Sequence, residues 1–310
     1  MPLPQTLHCG PSGWSYEHWN GIVYPKLKRR GFHPLEDLAR YFDALEINTT
    51  FYQPIRPEIA RLWIRKVEQN PKFQFTAKLH RRFTHERVLS AADIAQFKDG
   101  LWPLHKAHKL GCVLMQFPWT FRYTEENREH VIRLRRAFHE FPLATEMRHS
   151  SWTSEEALGT LIDYKIGFVN IDQAPYTKAM PPASHLTSGI GYVRLHGRNS
   201  RDWDREFGRA PRETAAHDYL YRLTELLEWK PRIEHLLAHA EQTFVFANND
   251  VGGNAVVNAL QMARLLGDDR RLAPAELVAQ FPDELADFHS DRPIQEALFA
   301  NFDTGQRAVA

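Results

Sequence analysis

Four carboxylates, Glu46, Glu146, Asp172 and Asp250, stand at the ends of short apolar runs, and Lys78, Arg148, Arg194 and His196 occupy the matching ends of the same or other runs. Together they hold the parts of general acid–base chemistry. Opposite charges at close range keep one another ionised, and two facing carboxylates push one pKa upward. A histidine titrates near neutrality, and an arginine fork suits a carboxylate or phosphate. Glu46, Glu146, Asp172 and His196 are therefore the candidate catalytic groups. Asn48, Lys78, Gln116, Arg148, Arg194, Asn248 and Asp250, with Trp14, Tyr52 and Arg198 from adjoining loops, are the candidate ligand contacts.

The elements that must position them are eight strand-like segments, Leu7 to Gly10, Leu45 to Thr49, Phe73 to Leu79, Gly111 to Phe117, Leu143 to Arg148, Gly167 to Asp172, Gly191 to Gly197 and Thr243 to Asp250. Helical patterns follow nearly all of them, among them Ile59 to Val67, Ala91 to His108, Glu125 to Phe138, Ser154 to Tyr164, Ala215 to Leu237 and Ala255 to Leu266. Ser154 precedes two glutamates and predicts a helix cap. Eight strand–helix alternations without a linker predict a parallel sheet closed as a (β/α)8 TIM barrel, with an open doubly wound sheet as the rival. In a barrel, apolar parity marks the face turned to the helices. That parity sends Leu45 and Ile47, Val113 and Met115, Val169 and Ile171, Val193 and Leu195, and Val245 and Ala247 outward. It turns Glu46 and Asn48, Thr76 and Lys78, Gln116, Glu146 and Arg148, Asn170 and Asp172, Arg194 and His196, and Asn248 and Asp250 toward the axis. One such strand is an ordinary satisfied polar network. Seven in one phase predict a pocket, because buried charge is costly unless solvent or a ligand meets it.

Loops at the same rim add His80, Arg81, Arg82, His85 and Arg87 after the third strand, and Arg198, Arg201, Arg205, Arg209 and Arg212 after the seventh. Trp14, Tyr16, Trp19, Tyr52, Trp119, Trp152 and Trp203 are placed to stack a sugar or a base, or simply to pack the loops. Carboxylates plus one imidazole suit magnesium, manganese or zinc, but Lys78, Arg148 and Arg194 compensate them directly, so no cofactor is expected. A Schiff base on Lys78 requires desolvation, and neighbouring carboxylates favour its protonated form. The turn Gly10, Ser12, Gly13 is too short to diagnose a phosphate loop; the turn Gly252, Gly253, Asn254 opens a helix whose N-terminus suits an anion.

Composition sets the frame. The 310 residues are 43% hydrophobic and 25% charged, which suits an ordinary globular chain with a large core. Cys9 and Cys112 fall in strands that are not neighbours, so no disulfide is expected. The start carries no signal-like segment and no stretch approaches membrane-helix length, which makes the cytoplasm the expected location and excludes a membrane partner. From Asp268 to Ala310 nine acidic residues face four basic ones (net −5), while the first 267 residues hold 29 against 35 (net +6). The expected organisation is a barrel over 1–267 with an acidic appendage over 268–310, and the mildly basic body points to an anionic partner.

The runs Gly-Pro-Ser-Gly-Trp-Ser-Tyr at 10–16 with Trp19 and Tyr24-Pro25, Glu46-Ile-Asn-Thr-Thr-Phe-Tyr52, Gln116-Phe-Pro118, Glu146-Met-Arg-His-Ser-Ser-Trp152, Tyr192-Val-Arg-Leu-His-Gly-Arg198 and Phe246-Ala-Asn-Asn-Asp250 resemble the YecE-like family, a domain of unknown function. The resemblance is dispersed over almost the whole barrel; Pro11 departs from the family's more usual threonine, and the acidic tail lies outside it. It implies a TIM barrel and a loose association with sugar isomerases and endonuclease-IV-type barrels, with no catalytic assignments. The short supply of inward histidines separates this chain from the metal-dependent relatives. The residues favour an enzyme working by acid–base chemistry on an anionic, hydroxyl-rich small molecule such as a sugar phosphate or sugar acid. The alternatives are a nucleic-acid-binding protein or phosphodiesterase using the basic, tryptophan-bearing rim, and a non-catalytic metabolite-binding barrel.

Overall fold

The structure, a computed structural model, describes residues 7–199 and 217–292. Its strands are β1 (Leu7–Pro11), β2 (Ala44–Ile47), β3 (Gln74–Lys78), β4 (Leu110–Gln116), β5 (Leu143–Glu146), β6 (Gly167–Asp172), β7 (Ile190–Leu195) and β8 (Gln242–Ala247). They pair in parallel in the order β1-β8-β7-β6-β5-β4-β3-β2. The seam between β1 and β2 is closed by a bridge from Ser12 to Glu46, where the Gly13 N–H donates to the Glu46 carbonyl at 2.9 Å. The sheet is therefore a (β/α)8 barrel and not an open doubly wound sheet. Closure brings the two strands so near that a Cβ on Gly10 would lie 1.8 Å from the Ala44 carbonyl oxygen, which reserves that position for glycine.

Helices α1 (Pro34–Leu38), α2 (Pro57–Lys66), α3 (Arg81–Thr84), α4 (Ala91–Lys106), α5 (Glu125–Ala137), α6 (Glu155–Asp163), α7 (Leu223–His239), α8 (Asn254–Leu265) and α9 (Ala275–Gln280) surround the ring. Their starts follow local chemistry. Ser90, Thr124 and Ser154 accept from the backbone N–H three residues on, satisfying donors that the first turn leaves free. The helix expected from Ala215 begins instead at Leu223, where the Glu225 carboxylate accepts from the Arg222 N–H at 2.9 Å and closes the first turn; residues 215–216 lie outside the described residues. No described helix is long and apolar enough to cross a membrane.

Leu45, Ile47, Val113, Met115, Val193 and Leu195 are buried among the helices, as parity requires. β6 runs in the opposite phase. A Cβ on Gly167 would point at the inward Ala144 side chain, while Asn170 turns out to bond the backbone of His185 through both its amide groups. The reason lies in the next connection: residues 173–189 contain no helix, so their backbone needs polar partners from the strand they cover. Val169 and Ile171 then fill the interior, the usual work of branched residues in a barrel.

After Gly267, Leu272–Ala273 pairs with His289–Ser290, and Ala273, Leu277, Leu285 and Phe288 are buried in the barrel's own core cluster. Asp291 accepts from Arg40 at 2.8 Å and from Tyr41 at 2.7 Å. Cys9 and Cys112 are buried free thiols.

Candidate functional site

At the carboxyl-terminal end of the barrel, the Arg194 guanidinium lies on the axis with no solvent exposure, donating to Glu146 through Nη1 and to Glu46 Oε1 at 2.7 Å through Nη2. Nη2 also reaches Asn248 Oδ1 at 2.9 Å, and Nη1 reaches Gln116 Oε1 at 3.3 Å. Strands β2, β4, β5 and β7 and the end of β8 thus converge on one cation. Ser12 donates to Glu46 Oε1 at 2.6 Å and Tyr192 to Oε2 at 2.7 Å, with Thr76 3.0 Å from the tyrosine oxygen. Arg148 Nε lies 3.2 Å from Glu146 Oε1, and so does His196 Nε2.

The electrostatics follow from those bonds. Burial alone would raise the Glu46 carboxyl, but Arg194, Lys78 and the hydroxyls of Ser12 and Tyr192 outweigh it and hold the group below the ordinary range. Glu146 is held well below that range in the same way, by Arg194, His196 and Arg148 against burial. His196 is pushed down to about 4, chiefly by burial. It is neutral at pH 7, and because the Asn248 carbonyl already accepts from Arg194, the Asn248 amide donates to His196 Nδ1 at 3.0 Å. The imidazole proton then sits on Nε2, toward Glu146.

Solvent-reaching groups ring this network. Lys78 Nζ, with 13% of its side chain exposed, lies 3.7 Å from Glu46 Oε1, and burial followed by Arg194 lowers its pKa to about 8. Asp250 is raised by burial, and its carboxylate lies 3.5 Å from His18. Asn48 donates to the Tyr16 hydroxyl at 3.2 Å beneath the Gly13 turn. Gly13 has φ +86°, and a Cβ there would come within 2.5 Å of the Tyr16 hydroxyl and 2.9 Å of Asn48, so this turn too requires glycine. A cavity of about 100 Å3 between the ends of β4 and β5 is lined by His85, Gln116, Trp119 and Arg148 among others. A roomier groove of about 500 Å3 lies at the opposite end, between Asp43, Lys66, Lys72 and Arg270. That groove is remote from the ion network, and in barrels of this kind chemistry is built at the carboxyl-terminal end.

Among the expected site residues, Glu46, Asn48, Lys78, Gln116, Glu146, Arg148, Arg194, His196 and Asn248 come together, with Asp250 at the rim. Three do not. Asp172 follows the inverted phase of β6 and faces the helix layer, where Trp229 donates to it at 2.5 Å, Tyr221 at 2.9 Å and Arg198 at 2.7 Å. Arg198 is consumed there and by Glu228 at 2.8 Å, so it is a structural clamp. Trp14 packs edge-on against Trp63 of α2 at 5.1 Å, inside the core. Trp19 and Trp152 are likewise core residues, whereas Tyr52 is exposed beside the β2 end. Arg194 lies within the set but offers no free fork to an anion, because two carboxylates occupy it. Tyr192 and His217 stand outside the sequence expectations, while Ser12, Tyr16 and His85 enter them only as turn or rim residues. Parity carries a signal for Tyr192, two residues before Arg194; His217 has none. Arg201, Trp203, Arg205, Arg209 and Arg212 lie outside the described residues.

Among the described residues, no group of three or more His, Cys, Asp or Glu side chains is arranged to hold a metal ion. The bonds above explain it: the oxygens of Glu46 and Glu146 already face Arg194, Arg148, Ser12, Tyr192 and His196.

A closed eight-stranded α/β barrel with an ion network at its carboxyl-terminal end places the molecule in the TIM-barrel class. The chain belongs to the DUF72 family, described as proteins of unknown function, whose pattern matches residues 8–282. It is 28% identical to UPF0759 protein YunF of Bacillus subtilis (strain 168) over 286 residues, 87% of this chain and 99% of that one. With UPF0759 protein YecE of Escherichia coli (strain K12) it shares 32% identity over 117 residues, 37% of this chain and 39% of that one. A DUF72 family protein of Thermotoga maritima MSB8 superposes with a TM-score of 0.71 at 30% identity, covering 85% of this chain and 100% of that chain. One from Enterococcus faecalis V583 shares the fold, with a TM-score of 0.71 at 24% identity, covering 84% of this chain and 95% of that one.

Proposed function

We propose that this chain is an enzyme that moves protons on a small, anionic, hydroxyl-bearing molecule held at the carboxyl-terminal end of the barrel. The observation that carries the reading is the division of the site into a buried frame and a reachable rim. Glu46, Arg194 and Glu146 are fully buried, and with Arg148 on Glu146 their charges balance, an arrangement that is weak as a source of stability and useful for fixing the field around a site. Lys78, Arg148, Gln116, Asn248 and Asp250 edge that frame, and Lys78 at about 8 has a pKa suited to proton transfer near physiological pH. In this reading Arg148 and Gln116 hold the anion, Trp119 packs on the carbon skeleton, and Lys78 and Asp250 exchange protons. Glu46, Glu146, Arg194 and His196 position them and do not touch the ligand.

The nucleic-acid alternative finds less support at the described rim. Arg81 faces Glu86 at 3.4 Å, Arg82 faces Asp93 at 3.3 Å and Arg87 faces Glu126 at 3.1 Å, so these cations are already partnered. The test is a thermal-shift panel of phosphorylated sugars, sugar acids, neutral sugars and oligonucleotides, followed by exchange of ligand C–H hydrogens in deuterated water. An anionic sugar is expected to raise Tm by several degrees and to exchange, with both effects lost in Arg148→Met and Lys78→Met. Stabilisation by oligonucleotides alone, falling steeply with salt, overturns the reading, and binding without exchange reduces it to a metabolite-binding barrel.

A further inference from the structure

Resting on that reading of the site, we infer that Lys78 is a covalent catalytic residue whose amine captures a carbonyl carbon of the ligand as an imine. The geometry begins with what Glu46 can still offer. Its Oε1 is taken by Ser12 at 2.6 Å and Arg194 at 2.7 Å and its Oε2 by Tyr192 at 2.7 Å, so Lys78 approaches no closer than 3.7 Å, beyond hydrogen-bond distance. Among the described residues Nζ has no hydrogen-bond acceptor. It is a nearly buried primary amine at the carboxyl-terminal end of β3, the place where barrel strands present reactive groups.

The groups facing Lys78 come from every side of the ring: Glu46 of β2, Glu146 of β5, Arg148 just beyond it, Arg194 of β7, Asp250 beyond β8, and His217 ahead of α7. Sequence spacing alone suggested that these carboxylates keep the lysine protonated. The structure softens this without reversing it: Arg194 and Arg148 together balance Glu46 and Glu146, and burial lowers Lys78 to about 8, so the amine is still mostly protonated at pH 7 but yields its proton readily. Desolvation beside cations is the established route to a nucleophilic lysine.

The step balances without an added oxidant or reductant. The Nζ lone pair attacks the carbonyl carbon, the C=O π pair moves to oxygen, and one proton passes from the attacking nitrogen to that oxygen to give a neutral carbinolamine. A second proton expels it as water while nitrogen forms the C=N bond. The protonated imine then draws electron density from the adjacent carbon, which makes its C–H acidic enough for removal by a rim carboxylate such as Asp250. The substrate class is therefore narrowed to short anionic aldehydes or ketones.

The experiment incubates the full chain with glycolaldehyde phosphate or pyruvate, adds sodium borohydride, and locates label by intact mass and peptide mapping, with Tm recorded for the same mixtures. We expect one reduced adduct per chain, at least ten-fold more label on Lys78 than on any other lysine at pH 7, labelling that rises with pH to a half-point near 8, and its loss in Lys78→Arg. Should that variant fail to fold, the wild-type map still decides. A rise in Tm without label at Lys78, or label spread evenly over the surface lysines, overturns the imine and leaves the proton-transfer reading standing. If neither these probes nor the sugar panel raises Tm and no label forms, both fall.

Discussion

Arg194 decides the character of the site. A fully buried guanidinium between two fully buried carboxylates is tolerable only because every charge has a partner, and removing one partner strands the others. Arg194→Met keeps much of the volume and removes the cation, so it is expected to cost about 3–5 kcal/mol in urea unfolding at pH 7. The pH dependence gives the mechanism away. In the native chain Glu46 and Glu146 are held below their ordinary value of 4.5, so their contribution is present above that pH and is lost as pH falls through the folded-state values. In the variant burial acts unopposed by Arg194 and pushes both carboxyls upward, so they fold protonated. The deficit should be largest at neutral pH and shrink toward pH 5. A pH-independent deficit would mean that lost packing, not stranded charge, is responsible.

At the level of strands, parity makes most of the candidate site legible, because Glu46, Asn48, Gln116, Glu146, Arg148, Arg194, His196 and Asn248 need only a consistent apolar face on β2, β4, β5, β7 and β8. It failed at β6, where the run Gly-Phe-Val-Asn-Ile-Asp offers apolar residues in both phases. The deciding factor was the helix-free connection that follows, and its need for the Asn170 amide is a tertiary fact that a strand's own pattern does not contain. Trp14 misled for the same reason: a loop tryptophan and a core tryptophan look alike until the packing of α2 is known. The inversion has a measurable consequence. Asp172 ties β6 to Trp229 of α7, to Tyr221 just ahead of it and to Arg198, so Asp172→Ala leaves the Trp229 and Tyr221 donors buried and short of an acceptor, while Arg198 keeps Glu228. It should destabilise the fold by about 3 kcal/mol and shift Trp229 fluorescence, while the folded fraction binds the anionic ligand unchanged. Loss of ligand binding with stability intact would return Asp172 to the pocket.

For the whole molecule, the remaining question is what the segment after Gly267 does, since its net charge suggests a tail and its burial suggests a wall. Leu277, Leu285 and Phe288 share one core cluster with Leu45 and Phe75 of the barrel strands. Arg270 clamps Asp43, immediately before β2, at 2.8 Å, and Asp291 holds Arg40 and Tyr41 from the same end. The described part of the segment is thus tied to the amino-terminal end of the ring, opposite the site, by ion pairs of both senses, Arg270 on Asp43 and Asp291 on Arg40. Burying each of those three apolar side chains is worth about 1.5–3 kcal/mol, and the net stability of a domain is only about 5–15 kcal/mol. A chain ending at Gly267 is therefore expected to lose cooperative unfolding, seen as a broad, shallow denaturation curve with exposed apolar surface that binds a hydrophobic dye. The double variant Leu277→Ala/Phe288→Ala, which keeps every charge, should reproduce most of that loss. If the truncated chain instead melts cooperatively within a few degrees of the full one, the barrel is complete without its acidic end and this attachment is ornamental to folding.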